Sequence, residues 1–337
     1  MALHIQYYQA DEAQEWDAFV LNKSMNGTFL QTRKFIEYHA PGKFQDRSLC
    51  VRKGNELVAA LLACEINDDG LRTFFAHKGS TYGGICISKK IYSATAVSEL
   101  MELLETFLRA EGFEKVYLKM VPPIFQRENT DLLDYFLYKQ GFFCYNELNY
   151  YMHLDRYQQD VLSQFSSSKR RDYRYSLHND LRFQKLETPE EISAFYDVLQ
   201  LNLKKLNLPS VHSLEDLQDL YFHRFPSSIA FYGVFWEDQL IAGSMLFLFG
   251  EDIVHTQYLS SDEAYLKLYP MDFLIGNLIQ LAVDQDKRLF TFGICTENQG
   301  RYLNLGLSRF KEGFGTEFCI NRSYEKVLSS HQEDMSC

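Results

Sequence analysis

The chain has 337 residues, of which 46% are hydrophobic, and a formal net charge of -11 at pH 7. This is enough apolar material for two ordinary cores, and the 27 Phe and 22 Tyr favour packed sheets over a disordered or low-complexity chain. Sequence-independent attachment to nucleic acid needs many cations that face phosphates, so the acidic balance argues against it, and we predict no DNA partner.

Cysteine and histidine usage gives no sign of a metal site or a disulfide framework. The seven Cys form no CxxC pair and leave an odd thiol, and the nine His include no pair at metal-ligand spacing. The first residues carry acids and amides where a signal peptide has an apolar core, and no apolar run reaches membrane-spanning length. The sequence therefore predicts a cytoplasmic protein with no metal and no membrane span, and it leaves the oligomeric state open.

Hydrophobic periodicity predicts alternating helices and strands in the first half of the chain. Turn residues at Gly54 and Asn55 separate the two strands of a hairpin. The predicted elements are helices at 11–21 and 32–39, a hairpin at 48–66, a strand at 71–76, a helix at 94–110, a strand at 115–119 and a helix at 131–140.

The second half repeats this order of helices and strands. A strand at 182–186 precedes a helix that opens at Pro189, where proline suits the first helical position. The elements predicted after it are a helix at 213–222, a hairpin from strands 227–236 and 240–249, a strand at 253–259, a helix at 271–284, a strand at 289–292, a helix at 302–311 and a last strand at 317–324.

Similar segments recur at a long offset, which indicates duplication. LVAA at 57–60 and LIAG at 240–243 both begin strands after turns, about 183 positions apart, and the Gly-Phe pairs at 141 and 313 are about 172 apart. We predict an N-terminal domain at 1–155, a C-terminal domain at 156–328 and a disordered tail at 329–337. Because clefts between domains often bind small molecules, the sequence predicts a substrate site between the two domains.

The order β-α-α-β-β-β-α-β-α-β in each half is that of an α/β fold with a mixed sheet. It resembles the GCN5-related N-acetyltransferase (GNAT) fold, and two such units in tandem resemble the FemABX group of aminoacyltransferases. The resemblance covers essentially the whole chain. Its motifs are NGTFLQTRKFIEYH at 26–39, HKGSTYGG at 77–84, SSSKRRDYRYS at 166–176 and FGICTENQGRYLNLGLSRFKEGFG at 292–315.

The resemblance implies attack by an amine on an activated acyl group. The donor is acyl-coenzyme A in GNAT enzymes and aminoacyl-tRNA in FemABX enzymes. The glycine-containing pyrophosphate turn of GNAT enzymes is missing from residues 260–273, which argues against coenzyme A and agrees with FemABX second domains. The charged helical hairpin that some FemABX enzymes insert is also missing, which argues against tRNA, so both donors stay open.

The segment around Lys311 corresponds to one in which FemABX enzymes have a functional lysine. Its ammonium would bind a substrate phosphate or the oxyanion that develops on the acyl oxygen. The alternative is a lysine that complements the C-terminal end of a helix dipole. Glu297 and Glu312 are candidates to accept a proton from the amine, or are solvated surface residues. We expect Lys311→Ala to abolish transfer with little change in melting temperature.

Basic and glycine-rich segments are the candidates for binding a substrate. Arg170 and Arg174 share a helix face that suits a phosphate, although such charge runs are often only solvated. His77 is a possible base or a structural histidine, and the glycines around it would let the backbone approach a ligand or simply turn. The predicted substrate-binding residues are Arg33, Lys34, His77, Ser80, Thr81, Tyr82, Lys169, Arg170, Arg171 and Arg174.

The sequence thus predicts a transferase that forms an amide on an amine acceptor with an anionic or phosphorylated part, such as a peptidoglycan or cell-envelope precursor. The donor is acyl-coenzyme A or aminoacyl-tRNA, so tRNA is a possible partner. One alternative is an acyl-coenzyme A-dependent N-acetyltransferase of a small amine or sugar. Another is a non-catalytic metabolite-binding protein that kept the fold.

Overall fold

A computed structural model describes residues 2–205, 207 and 209–328. Within them, contacts divide the chain into two compact units: residues 2–147 with 320–328, and residues 148–319. The division differs from the predicted boundaries at 155 and 328, because residues 323–327 pair with a strand of the first unit. The tail predicted at 329–337 lies outside the described residues.

The first unit has two sheets and helices of very different length. Its helices are α1 (Ala13–Asn22), α2 (Arg33–Ile36), α3 (Ala94–Ala110) and α4 (Asp131–Lys139). Its strands are β1 (Leu3–Tyr7), β2 (Gln45–Asp46), β3 (Leu49–Lys53), β4 (Glu56–Leu61), β5 (Ala63–Asp68), β6 (Leu71–Ala76), β7 (Ile85–Ile87) and β8 (Lys115–Lys119), followed by the first residues of β9 (Phe143–His153).

One sheet of this unit has the order β1-β3-β4-β7, and β2, β5, β6 and β8 follow one another in the other. The apolar face of α3 carries Val97, Leu100 and Leu104 into the core, as its 3.6-residue periodicity predicts. Strands β6 and β8 are parallel and α3 lies between them in the chain, which is the crossover that parallel strands require.

The second unit has a single main sheet flanked by helices. Its helices are α5 (Ser167–Ser176), α6 (Pro189–Lys205), α7 (Leu214–Gln218), α8 (Pro270–Asp284) and α9 (Leu305–Glu312). Its strands are β10 (Leu181–Leu186), β11 (Ile229–Trp236), β12 (Gln239–Phe249), β13 (Ile253–Ser261), β14 (Leu289–Ile294), β15 (Thr296–Glu297) and β16 (Tyr302–Leu303), with the rest of β9 and the start of β17 (Glu317–Val327).

Strands β10 to β13 form an antiparallel meander, and β14 is parallel to β13 and antiparallel to β9. Helix α8 connects β13 to β14, as α3 connects β6 to β8. Its buried residues Phe273, Leu274, Ile275 and Leu278 pack against the sheet. Both units therefore contain the same crossover, and the mixed α/β fold predicted from the sequence is confirmed.

Three predicted helices are wrong in their bounds. The helix predicted at 32–39 is the short α2, which ends at Ile36. The helix predicted at 302–311 is a short strand, β16, followed by α9, because Asn304 caps the helix by accepting a hydrogen bond from the Leu307 amide. The helix predicted at 213–222 ends as α7 at Gln218 and continues as a π-helical turn to Arg224.

Candidate active site

Strands β13 and β14 diverge in the second unit. Their parallel pairing runs from Ile253 opposite Leu289 to His255 opposite Thr291, whereas β13 continues to Ser261. Gly293 has φ +71°, and a Cβ there would lie 3.1 Å from Cε1 of His255. Ligands of open α/β sheets bind at the carboxyl ends of parallel strands where neighbouring strands separate, so this divergence is the candidate site for the acyl donor.

Lys311 projects from α9 to the same part of β14. Its ammonium donates to the carbonyl oxygens of Phe292, Gly293 and Ile294 at 2.8, 3.1 and 2.8 Å, and the residue is only 4% exposed. These carbonyls use all three hydrogens of a protonated amine. Lys311 therefore fixes the end of β14 at the divergence, besides any role toward a substrate.

Burial controls protonation around this lysine. It lowers the pKa of Lys311 from its ordinary value, and the nearby Cys295 side chain opposes that shift. Burial, together with the nearby Lys311 charge, lowers the pKa of His255 to about 3, so this histidine is neutral near pH 7. Burial also raises the pKa of the Cys295 thiol, which keeps it protonated.

A hydrogen-bonded chain connects α9 to β9. The Tyr150 hydroxyl lies 2.6 Å from Oγ of Ser308, which donates to Glu312 at 2.8 Å. Glu312 is exposed and lies next to Lys311 in sequence, so it is close to the diverging strands through Ser308 and Tyr150. Glu297 is exposed on β15, and no hydrogen bond places it in this chain. The predicted roles of both glutamates stay predictions.

Lys169 connects three helices of the second unit. Its ammonium pairs with Asp272 in the first turn of α8 at 2.7 Å and lies 4.4 Å from the centre of the Phe310 ring of α9. The Ser166 amide, at the N-cap of α5, donates to the Gly313 carbonyl at 2.8 Å. Burial raises the pKa of Asp272, which its Lys169 partner opposes. Lys169 is thus held by these structural contacts.

The outer face of α5 carries the other predicted cations. Arg170, Arg171 and Arg174 line a recess of about 300 Å³ with Ser167 and Tyr175. Arg171 pairs with Asp172 at 3.0 Å, whereas Arg170 and Arg174 form no ion pair with any residue that the structure describes. The recess therefore presents guanidinium groups whose charge is not already neutralised.

The segment that precedes α8 occupies the position at which GNAT enzymes have the pyrophosphate turn. Residues 263–268 form a 3-10 helix, Tyr269 adopts a left-handed conformation at φ +56°, and Pro270 begins α8. The Tyr269 ring lies 5.9 Å from the ring of Tyr175 on α5. Side chains rather than glycines thus surround the start of this helix.

In the first unit, Arg33 is buried and already paired. Its guanidinium bonds Asp46 and, at 3.1 Å, the Ser48 hydroxyl, and it lies 3.9 Å from the centre of the Tyr8 ring. These contacts favour a structural role for Arg33. The neighbouring Lys34 side chain is exposed. Binding of a substrate by either residue stays a prediction.

The glycine-rich turn of residues 77–84 lies between β6 and β7. The Gly83 and Gly84 amides both donate to the Lys119 carbonyl of β8, at 3.2 and 2.8 Å, so this part of the turn is tied to the protein's own backbone. Burial lowers the pKa of His77 to about 4, and its Nδ1 accepts the Gly79 amide. Of the other predicted residues, Ser80 and Tyr82 are buried and Thr81 is exposed.

The structure distributes the predicted site residues over both units. In the second unit, Lys311 and Glu312 lie on α9, and Lys169, Arg170, Arg171 and Arg174 lie on α5, which contacts the end of α9 through Ser166. Sequence reasoning missed three residues that contact these side chains and one whose pKa the Lys311 charge lowers. The three are Tyr150, Asp272 and Ser308, and the fourth is His255; all look like ordinary strand or helix residues because their partners are distant in sequence.

The described residues were also expected to hold neither a metal site nor a membrane span. No group of three or more His, Cys, Asp and Glu among them is arranged to bind a metal ion. Within the same residues, none of the helices combines the length and apolar character needed to cross a bilayer.

Comparison with known families supports the chemistry predicted for the second unit. Residues 163–312 match the family model of the acetyltransferase (GNAT) domain. The matched segment includes α5, both diverging strands and Lys311, and the match confirms the predicted class of enzyme, an acyltransferase. No curated protein matches the sequence.

Solved structures resemble the whole chain in fold. FemX has a TM-score of 0.69 at 13% identity, with 96% of this chain and 97% of that chain covered. The L-PGS of Bacillus licheniformis has a TM-score of 0.61 at 13% identity and coverages of 97% and 94%. A tandem GNAT protein from the clavulanic acid biosynthesis pathway has a TM-score of 0.54 at 12% identity and coverages of 98% and 100%. These likenesses confirm, for the fold, the predicted resemblance to FemABX-like and tandem GNAT proteins.

Proposed function

We propose that this acyltransferase forms an amide on an amine acceptor that carries an anionic or phosphorylated group, and that the GNAT domain of the second unit performs the transfer. The observation that carries the proposal is the arginine face of α5, where Arg170 and Arg174 border the recess without an ion-pair partner among the described residues. A guanidinium binds two phosphate oxygens at once, so two such groups suit a phosphorylated acceptor.

The donor would enter where β13 and β14 diverge. There the end of β14 is fixed by Lys311, and a fixed strand end keeps the backbone groups of the site in place before the donor arrives. Both donors remain candidates. Match to an acetyltransferase family supports acyl-coenzyme A, whereas the Tyr269-Pro270 start of α8 lacks the glycines that let backbone amides approach a pyrophosphate.

The acceptor half of the proposal is tested with two amines that differ only in a phosphate. Purified protein is given acetyl-coenzyme A or a mixed aminoacyl-tRNA preparation, with a panel of primary amines that includes glucosamine and glucosamine 6-phosphate, and amide products are measured by mass spectrometry. We expect the phosphorylated acceptor to react with the higher kcat/KM. The double variant Arg170→Ala/Arg174→Ala should lose that preference, while Arg182→Ala, which removes an exposed arginine of β10, should keep it.

Calorimetry with acetyl-coenzyme A separates the donors. Micromolar binding favours ordinary acyl-coenzyme A-dependent N-acetylation, and no binding favours an aminoacyl-tRNA donor. If ligands raise the melting temperature but no amide forms with either donor, the protein is a non-catalytic binding module and the proposal is wrong.

A further inference from the structure

The hydroxyl of Tyr258 lies 2.6 Å from Nδ1 of His212 in the second unit. Tyr258 is on β13, three residues beyond His255, the last residue of β13 that pairs with β14. Tyr258 therefore lies in the part of β13 that no longer pairs with β14. Neither residue was a candidate from the sequence, because a lone His and a lone Tyr carry no motif.

The backbone directs Tyr258 to this position. The register of β12 with β13 shifts between Met245 and Leu246, so Gln257 is an extra residue between Thr256 and Tyr258. Such bulges turn a following side chain and are frequent beside active sites. The Tyr258 carbonyl also accepts a hydrogen bond from Ser244 at 2.8 Å, which holds the strand after the bulge.

His212 is held from the other side. It is 4% exposed and directly precedes Ser213, the N-cap of α7, whose hydroxyl and amide exchange hydrogen bonds with Asp216. The Ser210 hydroxyl donates to the His212 carbonyl. The imidazole is therefore fixed against Tyr258 by short local contacts, and with Nδ1 as acceptor its remaining proton is on Nε2.

Two polar groups in this part of the unit point to a bound molecule. Oγ of Ser260, two residues along β13 from Tyr258, and Nε2 of Gln200, one turn along α6 from Tyr196, are buried without a hydrogen-bond partner among the described residues. Tyr196 and Asp216 both act electrostatically on the Tyr258 hydroxyl, which places α6 and α7 beside it. A buried polar group without a partner is destabilising, and a hydrogen-bonded ligand would offset that cost.

We infer that Tyr258 and His212 form the proton-accepting pair of the transfer reaction, an inference that depends on the proposed amide-forming function. The amine nitrogen attacks the acyl carbon, and the bond from that carbon to the donor's oxygen or sulfur breaks with its electron pair on the leaving group. The surplus proton on nitrogen passes to the Tyr258 oxygen as the Tyr258 proton passes to Nδ1 of His212. The resulting imidazolium then protonates the leaving group, so charge and atoms balance.

The protonation state of the Tyr258 hydroxyl suits transfer of a proton through it rather than its ionisation to a phenolate. Burial raises its pKa to about 12, so the hydroxyl keeps its proton near neutral pH and can donate and accept at once. A phenylalanine in its place keeps the ring but removes the hydroxyl, together with its hydrogen bonds to His212 and Gln257.

The test compares Tyr258→Phe and His212→Ala with a matched control, Tyr7→Phe. Tyr7→Phe also removes a tyrosine hydrogen bond, of 3.0 Å to Glu111, but Tyr7 lies on β1 of the first unit. With acetyl-coenzyme A or the mixed aminoacyl-tRNA as donor and the amine panel as acceptors, we expect Tyr258→Phe to lower kcat about 100-fold or more with the donor KM unchanged within about twofold. Tyr7→Phe should keep the wild-type kcat.

Two further readouts separate chemistry from structure. Added imidazole should restore part of the kcat of His212→Ala but not that of Tyr258→Phe, and the double variant should be no slower than the slower single variant, because the two groups act as one unit. Wild-type protein that forms no amide overturns the proposed function and this pair together. Wild-type turnover with an unchanged kcat in Tyr258→Phe, or no imidazole rescue of His212→Ala, overturns the pair alone.

Discussion

Lys311 donates to the Phe292 carbonyl at 2.8 Å, a contact between the last turn of α9 and the end of β14. The same ammonium also binds the next two carbonyls along the strand. The sequence predicts that Lys311 faces a substrate. In the structure its ammonium also fixes the end of β14, which borders the candidate donor site.

Replacement of Lys311 should therefore lower stability as well as activity, unlike the sequence-based expectation of little change in melting temperature. Lys311→Met keeps the apolar stem but leaves three carbonyls without their donor. We expect the free energy of unfolding to fall by about 3 kcal/mol, as for loss of buried hydrogen bonds to a charged group. Urea unfolding followed by circular dichroism measures it. The control Lys267→Met changes an exposed lysine and should stay within about 0.5 kcal/mol of wild type.

The Lys169–Asp272 pair should be strongly coupled. Lys169→Met leaves a carboxylate that is only 10% exposed without its partner, which costs about 3–5 kcal/mol in buried pairs. The double variant Lys169→Met/Asp272→Asn should recover more than half of that loss, because no buried charge remains. The exposed pair Lys89–Glu128 is the comparison, and Lys89→Met should cost under about 1 kcal/mol. Equal losses of stability in Lys169→Met and Lys89→Met would contradict the prediction.

Gly276 in α8 should not tolerate a methyl group. Alanine is normally better than glycine inside a helix by about 1 kcal/mol, but a Cβ at this position would lie 2.3 Å from the Tyr173 ring of α5. We expect Gly276→Ala to lower the free energy of unfolding by about 1–3 kcal/mol. The same change should cost less in a Tyr173→Leu background, because the ring that the new methyl group meets is then absent.

Gly306, in the first turn of α9, is the control for that change, because the nearest atom to a Cβ there is Oδ1 of Asn304 at 3.5 Å. When the variants are compared by urea unfolding, Gly306→Ala should be neutral or stabilising. A stabilised Gly276→Ala protein would show that α5 and α8 are not packed as closely as the structure has them.

His77 should make the protein less stable in acid. Its pKa is about 4 in the folded protein against 6.5 for an ordinary histidine, so between these values the unfolded chain binds a proton that the folded chain does not. The contribution of His77 to the free energy of unfolding is therefore fully present above pH 6.5. It is lost as the pH falls toward 4, with a slope of up to about 1.4 kcal/mol per pH unit.

His77→Gln should remove that contribution from the pH dependence of the free energy of unfolding, measured in urea at several pH values from 7 to 4. His178→Gln, which changes an exposed histidine after α5, is the control variant. An unchanged slope in His77→Gln would mean that His77 does not remain neutral when buried.

The sequence alone determined the class of fold and the positions of most of the longer elements. Helix α3 is found at the predicted residues 94–110, and β8 at 115–119, because each has a clear local signal: a 3.6-residue apolar repeat in one, and a short apolar run after a Gly-containing turn in the other. The motifs around Lys311 and Arg170 likewise gave the enzyme class, since they lie in the segment that matches the GNAT domain.

Only the tertiary structure decided what each side chain contacts. Arg33 and Arg170 look alike in sequence, yet Asp46 pairs with the first and no described residue pairs with the second. Tyr258 meets His212 across 46 positions, and Lys169 meets Asp272 across 103. Local periodicity reports which face of an element is apolar, but the partner of a buried polar group depends on how distant elements pack, and one sequence does not specify that packing by pattern.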